Sequence, residues 1–363
     1  MNRAREIAAA TLLELPRATP RRLRAALSSC GGPEQLLRAI ADGAVARDPE
    51  ARITEDIVSG WRRALDAAAA RTTSLLAHRA TRVLVVDDPD WPLTPDCGSL
   101  PAVLLVEGDA YEALFRPRIA VVGTRNPTPH GDADAREVAG LLADAGAVVV
   151  SGLAYGIDGA AHDAAIRAGG LTIGVAATGL DVAYPRGHVN LWSRVREHGL
   201  IVGENRFGTR PSREIFPVRN RIIAALASSV VIVEAAAKGG AMHTARAALD
   251  LAKVVYAIPG SRRNPMAEGC NRLLADGAQP LVDPLDIIVA VGCGATGVPS
   301  RPRRLAGVSG AARAVHRSLA GEPATLDEVV GRCALPLASV AGAARELERA
   351  GRLKRSAGKL WPL

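Results

Sequence analysis

The sequence predicts an α/β protein: an extended Rossmann-like parallel sheet flanked by an N-terminal helical bundle and a C-terminal winged helix. Three observations predict it. Between about Pro117 and Val291, apolar runs of strand length alternate with helical stretches, as in a parallel sheet covered on both faces by its crossover helices. Before residue 80, leucines recur at three- and four-residue steps between Gly/Pro breaks. After a linker of Gly, Pro and Arg, three short helical patterns precede an alternating hairpin.

In chain order, Leu12, Leu13, Leu15, Leu23, Leu27, Leu36, Leu37 and Ile40 mark short helices broken by Pro16, Pro20 and Gly31-Gly32-Pro33. Such a bundle either grips a DNA backbone or serves a structural or interaction role. Strand-like runs Val83–Val86 and Ala102–Val106 form a transition around Asp90-Trp91-Pro92-Leu93. The central strands are Arg118–Val122, Val148–Val150, Leu171–Val175, Gly199–Val202, Val230–Val233 and Lys253–Ile258. Helices are expected over Gly131–Ala145, from about Asp158, and over Arg219–Ala227 and Ala241–Leu251. The last module reads as helices Ala311–Leu319, Leu326–Cys333 and Leu337–Ala350, stopped by Gly351. Arg352–Pro362 then alternates around a Ser-Ala-Gly turn. The predicted domains are therefore 1–80, 81–292 and 311–363, with 293–310 as linker.

Composition narrows the function. The longest uncharged apolar run, Ile287–Pro299, is too short to span a bilayer. Ile7–Leu13 lies between Glu6 and Glu14 with no cleavage site after it, so no secretory signal is expected. Five scattered cysteines (Cys30, Cys97, Cys270, Cys293, Cys333), with no C-x-x-C pair, fit neither a disulfide framework nor a zinc site. They predict reduced thiols in a cytoplasm. The net charge is +8, and 41 of the 45 basic residues are Arg, a bias that a GC-rich genome explains as well as function does. From Arg301 onward the chain carries 12 basic against 5 acidic residues, which points that module toward an anionic partner, nucleic acid first.

Four loops at strand ends carry the chemistry. Gly123-Thr124-Arg125 combines close backbone approach, a hydroxyl and a guanidinium fork where open parallel sheets bind ligands. No G-x-G-x-x-G follows, so NAD and FAD are disfavoured and no cofactor is expected. Ser151-Gly152 offers a hydroxyl and N–H groups to a phosphate. Asp158 reads as the cap of the next helix, and His162 one turn on meets it either as an acid–base pair or, by preference, as a cap bonded to a side chain. Arg219-Asn220-Arg221 sets two guanidiniums at a helix start, where the dipole already favours anions. Glu214 is the only acid within four residues. Lys238-Gly239-Gly240 precedes a helix carrying Thr244, a plausible anion nest without P-loop order. Met242 reads as core and His243 as no metal ligand.

In order along residues 83–290, I-A-V-V-G-T-R, V-V-V-S-G-L-A-Y-G-I-D-G-A-A-H, G-L-D-V-A-Y-P, F-P-V-R-N-R-I-I-A-A-L, V-V-I-V-E-A, T-A-R-A-A and A-I-P-G resemble the bacterial DNA-processing DprA (Smf) family. The flanking modules resemble the family's three-part layout, with a SAM/helix-hairpin-helix-like bundle in front. The resemblance implies a homodimeric core that binds single-stranded DNA, protects incoming strands and brings the RecA recombinase onto them during natural transformation. It places Arg125, Arg219 and Arg221 in the DNA pocket, with Lys238 a further candidate. The family's usual Ser-Gly-Ser-Leu is Gly239-Gly240-Ala241-Met242 here, its usual Ser is Gly203 and its usual Ala is Gly159, leaving backbone N–H groups to replace lost hydroxyls. The logic is that of single-strand binding: cations along a groove and stacking surfaces for bases. Tyr155, Tyr184 and Phe216 lie in or beside these loops and serve either stacking or, for Phe216 equally, core packing. No D-x-D or E-x-K carboxylate cluster converges there, so the expectation is binding without cleavage.

Two other readings compete. A LOG-like nucleotide phosphoribohydrolase would need P-G-G-x-G-T-x-x-E. Gly239, Gly240 and Thr244 echo it, but His243 replaces a Gly and Ala-Arg-Ala-Ala after Thr244 leaves the Glu position empty. A winged-helix transcription regulator would read duplex DNA through its third helix, which offers Arg345 and Arg349 but few Asn or Gln. That module contacts either DNA or protein.

Overall fold

A computed structural model describes residues 3–93, 99–290, 309–319, 324–333, 335–349, 353–356 and 359–362. Its contacts divide the chain into two compact units, Met1–Ser300 and Arg301–Leu363. The first begins with helices α1 (Arg3–Glu14), α2 (Pro20–Cys30), α3 (Pro33–Asp42) and α4 (Glu55–Ala77). Proline at the first turn and left-handed Gly31 and Gly43 at the ends delimit α2 and α3, as proline and glycine should. Strands β1 (Thr81–Val85) and β2 (Val103–Glu107) follow.

The alternating region then runs β3 (Arg118–Val122), α5 (Pro129–Asp144), β4 (Val148–Ser151), α6 (Ile157–Arg167), β5 (Thr172–Val175), α7 (Val189–Glu197) and β6 (Gly199–Gly203). It continues through α8 (Ile215–Leu226), β7 (Ser229–Ile232), α9 (Ala241–Asp250), β8 (Val254–Ala257), α10 (Glu268–Ala275), β9 (Gln279–Pro280) and α11 (Leu285–Ala290). The nine strands form one sheet in the order β1-β2-β6-β5-β4-β3-β7-β8-β9. From β6 to β9 every pairing is parallel, and the inner strands are apolar on both faces because helices cover both.

The expected parallel sheet is present and is extended at one edge, where β2 runs antiparallel to both β1 and β6. The helices of segment 1–80 share their core with it. Leu12, Leu27, Ile40 and Trp61 share one apolar cluster with Val83, Leu105, Leu153, Trp192 and Ile201, so bundle and sheet fold as one body. Sequence reading did not mark α7, α10 or α11. No helix among the described residues is long and apolar enough to cross a membrane. Cys30, Cys270 and Cys333 are free thiols; Cys97, Cys293 and most of the expected linker lie outside the described residues.

The second unit packs α12 (Gly310–Leu319), β10 (Ala324–Thr325), α13 (Leu326–Cys333), α14 (Leu337–Arg349), β11 (Leu353–Ser356) and β12 (Lys359–Pro362). Val315, Leu319, Val329, Val340, Leu347 and Leu360 form its core, and β12 lies between β10 and β11. This is the expected winged helix, with β10 as an added strand. Gly351 and most of the Ser-Ala-Gly turn lie outside the described residues.

Candidate nucleic-acid interface

The carboxyl tips of β5, β4, β3 and β7 open onto a cleft of about 730 Å³, at the edge where parallel sheets bind ligands. Gly123, Thr124, Arg125, Arg219, Asn220, Gly239, Gly240 and Thr244 all line it, and the second sequence-marked loop adds Ala154 and Asp158, so all four loops converge there. Gly152 lines a small adjoining recess; Ser151, Arg221 and Lys238 line neither.

The β3 tip is stitched to its neighbours. Thr124 donates its N–H to the Glu234 carbonyl at 2.7 Å and accepts from the Ile157 N–H at 3.2 Å. A Cβ at Gly123 would stand 2.6 Å from Ile157, so glycine is required there by packing alone. The turn holds Arg125 exposed, its guanidinium 5.2 Å from the centre of the Phe216 ring. Phe216 in turn packs 5.4 Å from Tyr184. One wall of the cleft is thus a cation over one aromatic ring that packs against a second. Tyr155 is 47% exposed beside the recess, edge-on to His188.

The expected roles of Ser151 and Gly152 do not survive the geometry. Ser151 is fully buried and its Oγ donates to the Val121 carbonyl at 2.7 Å. The Gly152 N–H donates to Asp158 Oδ2 at 3.1 Å. Asp158 is not the cap of α6, a place held by Gly156, and it does not meet His162. His162 instead bonds through Nδ1 to Thr172 Oγ1 at 2.7 Å inside the core.

Arg219 and Arg221 are placed differently from the expected pair of free guanidiniums. Arg219 is 4% exposed. It donates from Nη1 to the carbonyls of Gly152, at 2.7 Å, and Val175, and from Nε to Asn220 Oδ1 at 3.2 Å. Burial lowers it to about 10, with Asp158 opposing the shift, so it stays charged at neutral pH. Burial likewise raises Asp158, against the pull of Arg219. Arg221 pairs with Glu204 at 2.6 Å. Arg219 is thus held by carbonyls, within the field of Asp158 on α6, and Arg221 by the acid just after β6; none of these partners is in the neighbouring sequence.

Asn220 spans the cleft floor by donating to the Gly240 carbonyl at 3.2 Å. In the Gly-Gly loop, the N–H groups of Gly239, Met242 and His243 already bond to Ala236, Gly239 and Gly240 carbonyls. Thr244 is 1% exposed and Lys238 is exposed.

Sequence reading missed three contributors. Arg213, exposed on the rim, precedes Phe216 by three residues, and a basic residue just upstream of an aromatic–proline helix start was the available signal. His243, passed over as a ligand, lines the cleft beside Thr244. Glu234 is 6% exposed and accepts from the Thr128 N–H and Oγ1, both at 2.8 Å, and from Asn264 at 3.1 Å, tying two loops to the β7 tip. A carboxylate ending an otherwise apolar strand was its signal. Among the described residues, no three His, Cys, Asp or Glu side chains stand close enough to share a metal ion.

Residues 82–292 match the family model for DNA recombination-mediator protein A, and residues 299–359 the model for the DprA winged helix domain. The putative DNA processing protein DprA of Mycobacterium tuberculosis is 39% identical over 345 residues, covering 90% of this chain and 87% of that protein. DprA of Bacillus subtilis is 40% identical over 187 residues, 52% of this chain and 63% of that protein. Among solved structures, DprA of Streptococcus pneumoniae superposes with a TM-score of 0.64 at 30% identity, covering 77% of this chain and 95% of its own. DNA processing protein A of Helicobacter pylori, solved for its single-stranded DNA binding mode, superposes with a TM-score of 0.52 at 31% identity, covering 59% and 97%. With both modules matched in order and most of the chain aligned to a DprA, this chain belongs to the DNA recombination-mediator protein A (DprA/Smf) family.

Proposed function

We propose that this chain binds single-stranded DNA in the strand-tip cleft without cleaving it, and presents the strand to the RecA recombinase. The observation that carries this reading is the wall of Arg125, Phe216 and Tyr184: a cation for phosphate set against rings on which bases stack. A duplex buries its base faces, so stacking of this kind selects unpaired strands. Arg125 and the rim Arg213 are the phosphate contacts; Arg219 shapes the floor, and Arg221, paired with Glu204, stands outside the cleft lining. Lys238 and the Gly-Gly loop lie at the far end. The chain acts as a homodimer through its first unit, a reading supported by Val282, Leu285 and Val289, which are 75%, 52% and 79% exposed around the β9–α11 edge.

The test is a salt-dependent titration of the full chain with single strands, duplex and nucleotides side by side. Single strands should bind tightest. Arg125→Ala should reduce the magnitude of the log–log salt slope by about 0.7, the share of one phosphate contact. Equal or tighter duplex binding would shift the function to the winged helix. Sustained release of adenine from AMP would make the protein a nucleotide hydrolase instead.

A further inference from the structure

We propose that the bound strand leaves the cleft across the tip of β8, where Arg262 and Arg263 hold its phosphates. This rests on the single-strand reading above and extends its track.

Sheet order sets the path. Cleft residues come from successive strand tips: Tyr184 after β5, Ala154 after β4, Arg125 after β3, and Gly239 and Gly240 after β7. The next tip in the sheet is that of β8, about 4.8 Å beyond β7 and about 10 Å from β3. Its loop is tied at both ends. Gly260 and Asn271 exchange two hydrogen bonds, at 3.2 and 3.0 Å. Asn264 reaches Glu234 at 3.1 Å, and Met266 takes the Thr124 hydroxyl on its sulfur at 3.7 Å. The same threonine precedes Arg125, so loop and cleft share a support.

Between those ties stand Arg262 and Arg263, both exposed. Neither guanidinium enters an ion pair or hydrogen bond among the described residues. The acid that Asn264 reaches and the acid that opens α10 are both engaged elsewhere: Glu234 with Thr128 and Asn264, Glu268 with Arg272. Two adjacent forks on an anchored loop, in line with a cationic and aromatic groove, suit successive phosphodiester groups.

The experiment compares the full chain with an Arg262→Ala/Arg263→Ala variant, checked for an unchanged melting curve, on oligothymidylates of about 4 and about 16 nucleotides. On the long strand the variant should lose about 1.4 from the salt slope, two contacts' worth, and on the short strand nothing. A full-size slope on the long strand, while Arg125→Ala still reduces it, would overturn this path and leave the cleft standing. Equal losses on both strands would also overturn it, by placing the two arginines inside the primary site. No slope change in either variant would remove the single-strand reading itself.

Discussion

Arg219 donates from Nη1 to the carbonyl of Gly152 at 2.7 Å, joining helix α8 to the loop beyond β4. That bond, with the one to Val175, places a guanidinium beneath the cleft, where its charge opposes the upward shift that burial imposes on Asp158. A Cβ at Gly152 would fall 2.6 Å from Asp158 and 2.7 Å from Arg219, so the arrangement leaves no room for a side chain. Arg219→Ala should therefore destabilise the fold by about 2–4 kcal/mol in urea unfolding, because the buried Gly152 and Val175 carbonyls lose their donor. The folded fraction should keep the parent salt slope on single strands. Arg125→Ala should do the reverse, lowering the slope with little change in the unfolding midpoint. A stable Arg219→Ala with a reduced slope would return Arg219 to the list of phosphate ligands.

Phe216 separates stacking from charge. Phe216→Ala removes the ring between Arg125 and Tyr184 and should weaken single-strand binding by about 1–3 kcal/mol at unchanged salt slope. Phe216→Trp should retain most of the affinity. Intact affinity in the alanine variant would make the ring a packing element only.

His162 makes stability depend on pH. Burial, reinforced by the charges of His188 and Arg219, lowers it to about 3 from 6.5. Between those values the unfolded chain binds a proton that the native state refuses, so stability rises with pH and is lost as pH falls below about 6.5. The loss from pH 6.5 to 5 should be about 2 kcal/mol. Urea midpoints for the parent and His162→Asn should show a flatter pH dependence in the variant over that window, and parallel curves would refute the assignment.

Glu234 is a tie between loops. Glu234→Ala strands the Thr128 N–H and hydroxyl and frees Asn264, which should cost about 2–4 kcal/mol in thermal or urea unfolding. Single-strand affinity should fall with it, since the Glu234 carboxylate anchors Thr128, in the loop that carries Arg125. Gly131→Ala should act in the same direction, because its Cβ would collide with the Glu234 carboxylate. A Glu234→Ala protein as stable as the parent would show those bonds to be replaceable.

The central strands were legible because both faces of a parallel sheet are buried, and burial on both faces writes continuous apolar runs such as Val148–Val150. The loops Gly123–Arg125 and Gly239–Gly240 were legible because a strand-to-helix turn at a carboxyl tip has a local signature. The antiparallel edge was not, since nothing in Val103–Glu107 says in which direction its partners run. The shared core of bundle and sheet was equally silent: Trp61 and Ile201 each look like ordinary core residues, whatever they pack against.

Local pattern alone thus determined which segments are strands, which tips carry cations and that two kinds of module follow one another, because periodicity and turn chemistry act over a few residues. Which arginines face solvent was decided by tertiary structure. Arg125, Arg219 and Arg221 look alike in the chain. Folding brings the Gly152 and Val175 carbonyls to Arg219 and Glu204 to Arg221, and a buried guanidinium persists only where an acid or a set of carbonyls meets it.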